Sequence, residues 1–418
     1  MNNQLLRGSK GFSPTSVLQY VTLYIGHCNT HTIREYYDYY CKDCVLSMTT
    51  NGRLVEILET NYRRIKRRSI ESKRRPEILS HILLPRILEN VIRNYIAKSH
   101  IGSLTKNYVE SLIDRAIDSG IIIPIERGYK YEIPKVDPLL ILKNKAIVGV
   151  DGGGFAIKLH PMRIILAKSA VFFHSQRPDL NYDIKGIWRT SVAILRRTGN
   201  IEEQLRIKMR EMLVDVEVQT VKEIAEEYGG YIDAIFWDGP LYASRYMNKF
   251  YSAVKTLTNR AIICIKSVKN SFASRIAQVS DVYELTDADL YVAYLSPNQR
   301  SSAYIYNGNL VSKLPEDMKP VFLYVKSPQK IMLRYEFPYW IIEEFGLDYV
   351  LNLIYADMAL GDGISYVISR ADNLARFSDQ ERRYLIYRVL RALRESGVDE
   401  TILFNERRWT RFFSEGRR

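Results

Sequence analysis

Two aspartates, each followed by glycine, are the residues of this 418-residue chain best suited to chemistry. Asp151 follows the apolar run in AIVGVDGGG, and Asp238 follows the apolar run in YIDAIFWDGP. Ligand sites of open α/β sheets form at the carboxyl ends of strands, and a glycine there lets a phosphate approach closely. Hard divalent cations prefer carboxylate oxygens. We therefore predict that Asp151 and Asp238 end two strands and hold a divalent cation.

A third carboxylate is expected from the long helix predicted between these strands, over residues 202–228. The inward stripe of this helix consists of Val214, Val218, Val221, Ile224, Ala225 and Tyr228. Glu217 shares the inward face, because it lies one helical turn before Val221. A carboxylate directed at a sheet is costly unless it is paired or binds metal. Glu217 is the predicted ligand, Asp215 is its main rival, and a helix-edge glutamate paired with a lysine is the structural alternative.

The elements that must position these acids follow an α/β pattern. Apolar, β-branched strands in AIVGVDGGG, MRIILAKSAVFFH and KGIWRTSVAIL precede the helix, and strands in YIDAIFWDGP and AIICIKS alternate with helices after it. Consecutive strands followed by alternating helices and strands indicate a mixed sheet flanked by helices. The predicted domain spans residues 141–418.

Five segments of this domain also carry a family resemblance. AIVGVDGGGF, YIDAIFWDGPLY, AIICIKS, LRYEFP and GDGISYVISRADNLARFS occur in this order between about residues 145 and 395. Together they resemble the NurA nucleases, which are archaeal and bacterial DNA-end-processing enzymes. The resemblance implies an RNase H-like fold and metal-dependent hydrolysis of DNA in repair. It does not cover residues 1–140, which form an added N-terminal region.

The resemblance assigns roles to individual residues. Asp151 and Asp238 match metal ligands of the family, Glu217 matches its helix glutamate, and Asp372 matches its last ligand. Lys266 in CIKS matches a catalytic lysine, which would neutralise a nonbridging phosphate oxygen. For Asp372 the alternative is an acid placed at a helix N-terminus, where the helix dipole favours negative charge.

Two departures from the family pattern concern substrate handling. The family has Gly-Tyr-Pro shortly before the last ligand, whereas here Gly363 is followed by Ile364 and Ser365, so a tyrosine with a proposed catalytic role is missing, although Tyr366 is near. The first motif is Asp-Gly-Gly-Gly rather than the family's DGS type. In RYEFP, Arg334 and Glu336 could position a DNA strand, but we interpret them as an ion pair.

The chemistry expected of these residues is two-metal hydrolysis. Two Mn²⁺ or Mg²⁺ ions about 3.5–4 Å apart can activate a water and hold the leaving oxygen. The resemblance further implies a homodimer that docks onto a hexameric HerA-type DNA translocase. The rival functions are a non-catalytic DNA-binding adaptor and an actin-like or sugar-kinase-like ATPase. The segment VDGGG resembles the first phosphate-binding loop of such ATPases. Phe155 stands where that loop carries Thr or Ser, and the chain has no P-loop.

The charge of the chain points to a polyanionic partner. Lys and Arg number 60 and Asp and Glu number 47, which gives a formal net charge of +13, and such an excess is typical of nucleic-acid-binding proteins. Residues 1–140 carry +7 of it. The densest run consists of Arg63, Arg64, Lys66, Arg67, Arg68, Lys73, Arg74 and Arg75. We predict that this run contacts DNA phosphates, and a solvated helix face or a basic linker is the alternative.

The N-terminal region, residues 1–140, is predicted to be mainly helical. Helical patterns cover residues 77–98 and 103–120, and the second stops at Gly120. Two short β-branched runs around Arg127-Gly128 then indicate a hairpin. Helices followed by a basic hairpin are typical of a winged helix, and a small α+β cap packed on the next domain is the alternative.

The N-terminal region also contains a candidate zinc site. Cys28, His31, Cys41 and Cys44 are arranged as C-x2-H-x9-C-x2-C, and four such ligands satisfy tetrahedral zinc. In the alternative, the reduced cysteines pack as small apolar residues in a tyrosine-rich core.

The remaining composition excludes several protein classes. No apolar run of about 18 residues occurs, so no membrane span is expected. The N-terminal sequence MNNQLLRGSKGF lacks the apolar core of a signal peptide, and four cysteines are too few for a disulfide scaffold. These features predict a cytoplasmic protein without a membrane partner.

Overall fold

The computed structural model describes residues 104–159, 162–180, 184–196, 200–269, 271, 273–281 and 285–398. These residues belong to a unit that begins at Ile96. The predicted zinc ligands and the predicted basic run lie outside the described residues, namely Cys28, His31, Cys41, Cys44, Arg63, Arg64, Lys66, Arg67, Arg68, Lys73, Arg74 and Arg75. Both remain predictions.

The described strands form one mixed sheet flanked by helices. They are β1 (Ile122–Pro124), β2 (Lys130–Glu132), β3 (Ala146–Lys158), β4 (Met162–Ser175), β5 (Lys185–Arg196), β6 (Ala234–Asp238), β7 (Ile263–Val268), β8 (Gln299–Ser301), β9 (Tyr304–Tyr306), β10 (Pro320–Lys326) and β11 (Met332–Pro338). Their order is β1-β9-β10-β11-β7-β6-β3-β4-β5, with β2 joined to β8 and β8 to β10. The mixed sheet confirms the α/β prediction.

The helices connect and cover these strands. They are α1 (Lys106–Asp118), α2 (Pro138–Ile141), α3 (Ile201–Tyr228), α4 (Met247–Thr258), α5 (Asp287–Tyr294), α6 (Trp340–Phe345), α7 (Leu347–Leu360), α8 (Tyr366–Ala375) and α9 (Asp379–Glu395). No helix among the described residues has the length and hydropathy that crossing a membrane requires.

Strand direction follows from the connections. β3, β4 and β5 are joined by short loops and pair antiparallel. β6 pairs in parallel with both β3 and β7, and parallel neighbours need a crossover. The two helices predicted from sequence, α3 before β6 and α4 before β7, provide these crossovers. The predicted apolar stripe of α3 is buried except at Tyr228, which is only partly buried, and Val221, Ile224 and Ala225 are fully enclosed.

One local prediction in the N-terminal region is confirmed and one is wrong. The helix expected over residues 103–120 is α1, which begins after the capping residue Thr105 and ends before Gly120 at φ +69°. The two short runs that follow do not form a hairpin, because β1 pairs with β9 and β2 pairs with β8. Short apolar runs bounded by a turn do not specify their partners, and here more distant strands supply the hydrogen bonds.

These pairings also bear on the domain boundary. α1, β1 and β2 precede the predicted boundary at residue 140, yet β1 and β2 belong to the same sheet as β8, β9 and β10. Val109, Leu112 and Ile113 of α1 pack with Tyr291 of α5 in one buried cluster. The unit that contains the sheet therefore begins at Ile96, upstream of that boundary.

Candidate active site

Asp151 does not end its strand, contrary to the sequence prediction. β3 continues to Lys158 because it is one arm of a long antiparallel pair with β4, in which Asp151 lies opposite Ala170. The prediction holds for Asp238, which is the last residue of β6. β3 and β6 are in parallel register up to Val150 opposite Trp237, so the next residue of each strand is one of the two aspartates.

The glycines that follow Asp151 show which helix covers each face of β3. A Cβ on Gly152 would lie 2.3 Å from Oε1 of Glu217 on α3, whereas a Cβ on Gly153 would lie 1.9 Å from the carbonyl oxygen of Ala375 on α8. Successive residues of a strand point to opposite faces, so Asp151 shares the α8 face with Gly153. The glycines predicted to admit phosphate instead admit a carboxylate and a helix backbone.

Three predicted ligands line one cleft. Asp151, Asp238 and Asp372 enclose a volume of about 280 Å³ together with Val268 and Lys269. Sheet and helix residues more than 200 positions apart in the chain therefore meet on the α8 face.

The carboxyl of Asp151 is strongly perturbed. Burial, together with the negative charges of Asp238 and Glu217, raises its pKa to about 8. Burial also raises the pKa of Asp238, although Lys266 opposes this change. The backbone N–H of Gly152 donates to Oδ1 of Asp151 at 2.7 Å. Among the described residues, no ion pair within 4.0 Å neutralises either aspartate.

Asp372 lies inside α8 rather than at its N-terminus, where Ser365 is the capping residue. The helix-dipole interpretation of Asp372 is therefore wrong. Nε of Arg376, one turn later, donates to Asp372 at 3.0 Å, and the Asp372 side chain is 22% exposed. Asp372 thus pairs with an exposed arginine, whereas Asp151 and Asp238 have no ion-pair partner among the described residues.

Glu217 approaches the same strands from the opposite face. Nε1 of the buried Trp237 donates to Oε2 of Glu217 at 2.7 Å, and burial raises the pKa of the Glu217 carboxyl. The rival acid, Asp215, instead forms an ion pair with Lys249 of α4 on the outer side. Of the two candidates, only Glu217 is directed at the sheet.

Lys266 lies beneath the cleft and not in it. Its side chain is fully buried, with Nζ 3.6 Å from the centre of the Trp237 ring. Nζ donates to the backbone carbonyl of Asp238 at 2.5 Å, and burial lowers the pKa of this lysine. The lysine that lines the cleft is Lys269, which sequence reasoning missed although it directly follows the end of β7.

Arg334 and Glu336 form the ion pair predicted for them, with Nε and Oε1 3.0 Å apart. Arg275 also pairs with Glu336 at 2.5 Å. Glu336 is fully buried, and these arginines hold its pKa below its ordinary value against the effect of burial. Oε2 of Glu336 accepts from the backbone N–H of Leu241 at 2.7 Å, so the pair fixes the loop that follows Asp238.

The donor set of the cleft suits a hard divalent cation. Within the described ranges, no group of three or more His, Cys, Asp or Glu side chains lies close enough together to hold a metal ion by itself. Three carboxylates nevertheless line one cleft, and buried charge without a partner is costly. Magnesium-type ions commonly use one or two carboxylates and complete their shell with water and substrate phosphates. The acids therefore suit an ion that takes some of its ligands from these carboxylates and the others from water and a substrate phosphate.

Comparison with known proteins identifies one family. The model of the NurA domain matches residues 145–377, a range that includes all five residues predicted to be catalytic. A search of curated proteins found no match.

Several solved structures are similar to this chain at low sequence identity. The NurA nuclease from Sulfolobus solfataricus is 14% identical, covers 77% of this chain and 98% of its own, and gives a TM-score of 0.49. A NurA structure with manganese is 10% identical, with coverages of 74% and 98% and a TM-score of 0.43. Endonuclease V from Streptomyces avermitilis is 16% identical, with coverages of 68% and 95% and a TM-score of 0.29.

Proposed function

Because this chain belongs to the NurA family, we propose that it is a metal-dependent nuclease that hydrolyses phosphodiester bonds of DNA. The observation that supports this most directly is the cleft lined by Asp151, Asp238 and Asp372. These acids lie in a chain with a net charge of +13. A basic protein that concentrates carboxylates at one cleft is suited to hold cations between itself and a polyanion.

Asp151, Asp238 and Asp372 would hold the cations, two of Mn²⁺ or Mg²⁺, with Glu217 contributing from the other face past Gly152. Such ions, when bound, polarise a phosphoryl oxygen and lower the pKa of a water. The protein's own contribution is to keep these carboxylates close together and, among the described residues, to leave Asp151 and Asp238 without an ion-pair partner, whereas Asp372 pairs with Arg376. Burial and mutual repulsion raise the pKa of Asp151 to about 8, so binding a cation there displaces a proton.

Two lysines divide the task first assigned to Lys266. Lys269 lines the cleft and is placed to neutralise a nonbridging phosphate oxygen as charge develops. Lys266 is enclosed and bonded to the carbonyl of Asp238, so it acts as a positioning residue. It fixes the backbone that carries Asp238 and adds positive charge below the acids.

The wider role follows the family resemblance. We include in the proposal an RNase H-like arrangement of the sheet, which the antiparallel β3–β5 followed by parallel β6 and β7 supports. We also include DNA end processing in repair, a homodimer, and docking to a HerA-type hexameric translocase in the cytoplasm. The basic run between Arg63 and Arg75 would add grip on DNA phosphates.

The test is cleavage of labelled single-stranded and duplex DNA by purified protein with Mn²⁺, Mg²⁺ or chelator. We expect Asp151→Ala and Asp238→Ala each to reduce cleavage by at least about 10³-fold, because metal-held charge stabilisation is lost, while DNA binding is kept. Asp215→Ala is the matched control, since this acid faces Lys249 on the outer side, and it should cleave at the wild-type rate.

The rival adaptor function makes the opposite prediction. Wild-type protein that binds DNA but cleaves none with any of these ions would support a non-catalytic adaptor. Cleavage that persists in chelator, or in both aspartate variants, would contradict the metal-dependent proposal.

A further inference from the structure

The last described helix, α9, presents an unusual surface. Its sequence contains Arg383-Tyr384-Leu-Ile-Tyr387-Arg388, and Tyr384 and Tyr387 are 56% and 58% exposed. At 3.6 residues per turn, the two tyrosines and their adjacent arginines fall on one side of the helix. We call Arg383, Tyr384, Tyr387 and Arg388 the Arg–Tyr face.

The opposite side of α9 supplies its packing. Ile386, Val389 and Leu393 pack against a buried cluster of Ile157, Leu159 and Ile164 from β3, the residue after it, and β4. The tyrosines are therefore not needed to hold the helix on the sheet. Large aromatic rings left in solvent on a helix that packs through its other side are available to a ligand.

The charges of the Arg–Tyr face are also available. Within the described residues, neither Arg383 nor Arg388 has an acidic partner, whereas Arg382 pairs with Asp379 and Arg391 pairs with Glu395. Nη1 of Arg388 instead donates to the hydroxyl of Tyr384 at 3.3 Å. Cations that flank exposed rings match a strand in which phosphates alternate with flat bases.

The start of α9 is fixed close to the strand that carries Asp151. Nζ of Lys168 donates to both carboxylate oxygens of Glu381 at 2.9 Å. The guanidinium of Arg382 lies 5.5 Å from the ring centre of Phe155. Phe155 lies on β3, two residues after Gly153. The helix is thus anchored at one end to β3 and β4 and extends from there by about 25 Å.

We propose that the Arg–Tyr face of α9 binds single-stranded nucleic acid, with Tyr384 and Tyr387 stacking on bases and Arg383 and Arg388 contacting phosphates. The proposal rests on the proposed nuclease function for its choice of DNA as ligand. Only unpaired bases offer their faces to a side chain, which is why a single strand fits better than a duplex. The face lies beyond residues 145–377, the range matched by the family model, so it is assigned from this chain's own structure.

The test is binding of a labelled oligothymidine, and of a duplex of equal length, to the full chain in chelator. Cleavage is not required for this measurement, so a failure of the nuclease proposal leaves it intact. We expect the double variant Tyr384→Ala/Tyr387→Ala to bind the single strand at least about tenfold more weakly, with a smaller loss for the duplex. Tyr384→Phe/Tyr387→Phe keeps both rings and should bind as wild type does.

The arginines give an independent readout. Replacing Arg383 and Arg388 by Gln should reduce the slope of log affinity against log salt by about 0.7 for each residue, whereas the tyrosine variants should leave the slope unchanged. Tyr231→Ala, which removes a tyrosine that is 43% exposed elsewhere, is the matched control and should bind normally.

Three results would overturn the proposal. Binding by the double alanine variant within twofold of wild type would show that the tyrosines do not stack on bases. If the double alanine variant lost equal affinity for single strand and duplex, the face would contact only the phosphate backbone of DNA. A change in sedimentation with unchanged DNA binding would identify the face as a contact between copies of the chain.

Discussion

At the scale of single residues, the site separates side chains that face the cleft from side chains that hold them. Asp151, Asp238 and Asp372 line the cleft. Trp237 lies beneath it and contacts two predicted site residues at once, by its N–H to Glu217 at 2.7 Å and by its ring to Lys266 at 3.6 Å. Groups that orient ligands in this way control metal affinity without touching the metal.

Trp237→Phe should therefore weaken Mn²⁺ binding and slow cleavage by about 10- to 100-fold, because the ring remains but the donor to Glu217 is lost. Calorimetric titration of Mn²⁺ and a cleavage assay measure the two effects. Trp340→Phe is the control, since the buried Nε1 of Trp340 has no hydrogen-bond partner among the described residues. Equal effects of the two substitutions would argue against the positioning role.

The perturbed Asp151 carboxyl should make stability of the metal-free protein depend on pH. Its pKa rises from 3.8 to about 8 on folding, so the folded state keeps a proton that the unfolded state loses. The free energy of unfolding contributed by this group falls as pH rises from about 4 to about 8 and is constant above that. Asp151→Asn removes this loss.

Thermal unfolding in chelator measures the effect. The Tm of Asp151→Asn should exceed that of wild type by more at about pH 8.5 than at about pH 5. Asp215→Asn, at an acid paired with Lys249, should show no such gain with pH. A constant or shrinking difference for Asp151→Asn would contradict the assigned shift.

At the scale of elements, the site depends on how closely α8 packs on β3. A Cβ on Gly149 would lie 2.1 Å from the carbonyl oxygen of Val367, and one on Gly153 would lie 1.9 Å from that of Ala375. The buried Asp357 of α7 also accepts from the N–H of Val367 at 3.1 Å. These contacts locate both ends of the helix that carries Asp372.

Gly149→Ala should destabilise the domain by about 1–3 kcal/mol, because helix backbone occupies the space of the new methyl group. It should also slow cleavage, because α8 must move with Asp372. Gly186→Ala on β5 is the control, since its Cβ would meet nothing within 4 Å. Denaturant unfolding and the cleavage assay of both variants provide the measurement, and equal stabilities would show that α8 tolerates displacement.

At the scale of the whole molecule, positive charge is concentrated before the domain that carries the acids. Residues 1–140 hold +7 of the net +13, yet β1 and β2 of this region pair within the sheet. A deletion that tests DNA binding by the basic run separately from cleavage must therefore end near Tyr95, because the unit that contains the sheet begins at Ile96.

Removing residues 1–95 should leave cleavage of short DNA intact, while DNA binding becomes weaker and less dependent on salt because phosphate contacts are lost. Removing residues 1–140 should instead destabilise the protein, since β1, β2 and α1 are lost from the sheet and its core. Salt-dependent binding and thermal unfolding of both deletions test this. A shorter deletion with an unchanged salt slope would exclude the basic run from DNA contact.

The sequence by itself determined the elements and the acids they carry. Periodicity located α3, α4 and the strands from β3 to β7, because burial of one face leaves a local pattern. The inward stripe of α3 likewise favoured Glu217 over Asp215. The family resemblance added Asp372, whose own surroundings in the sequence offer little sign of a ligand.

Only the tertiary structure decided which of these residues share a face and which strands are partners. Asp151 lies within a strand because hydrogen bonds to β4 continue the strand beyond it. Lys269 lines the cleft in place of Lys266 because Lys266 is buried beneath it. β1 and β2 pair with strands more than 160 residues away. Side-chain direction and strand pairing depend on hydrogen bonds between distant segments, and these leave no periodic signal in the segments themselves.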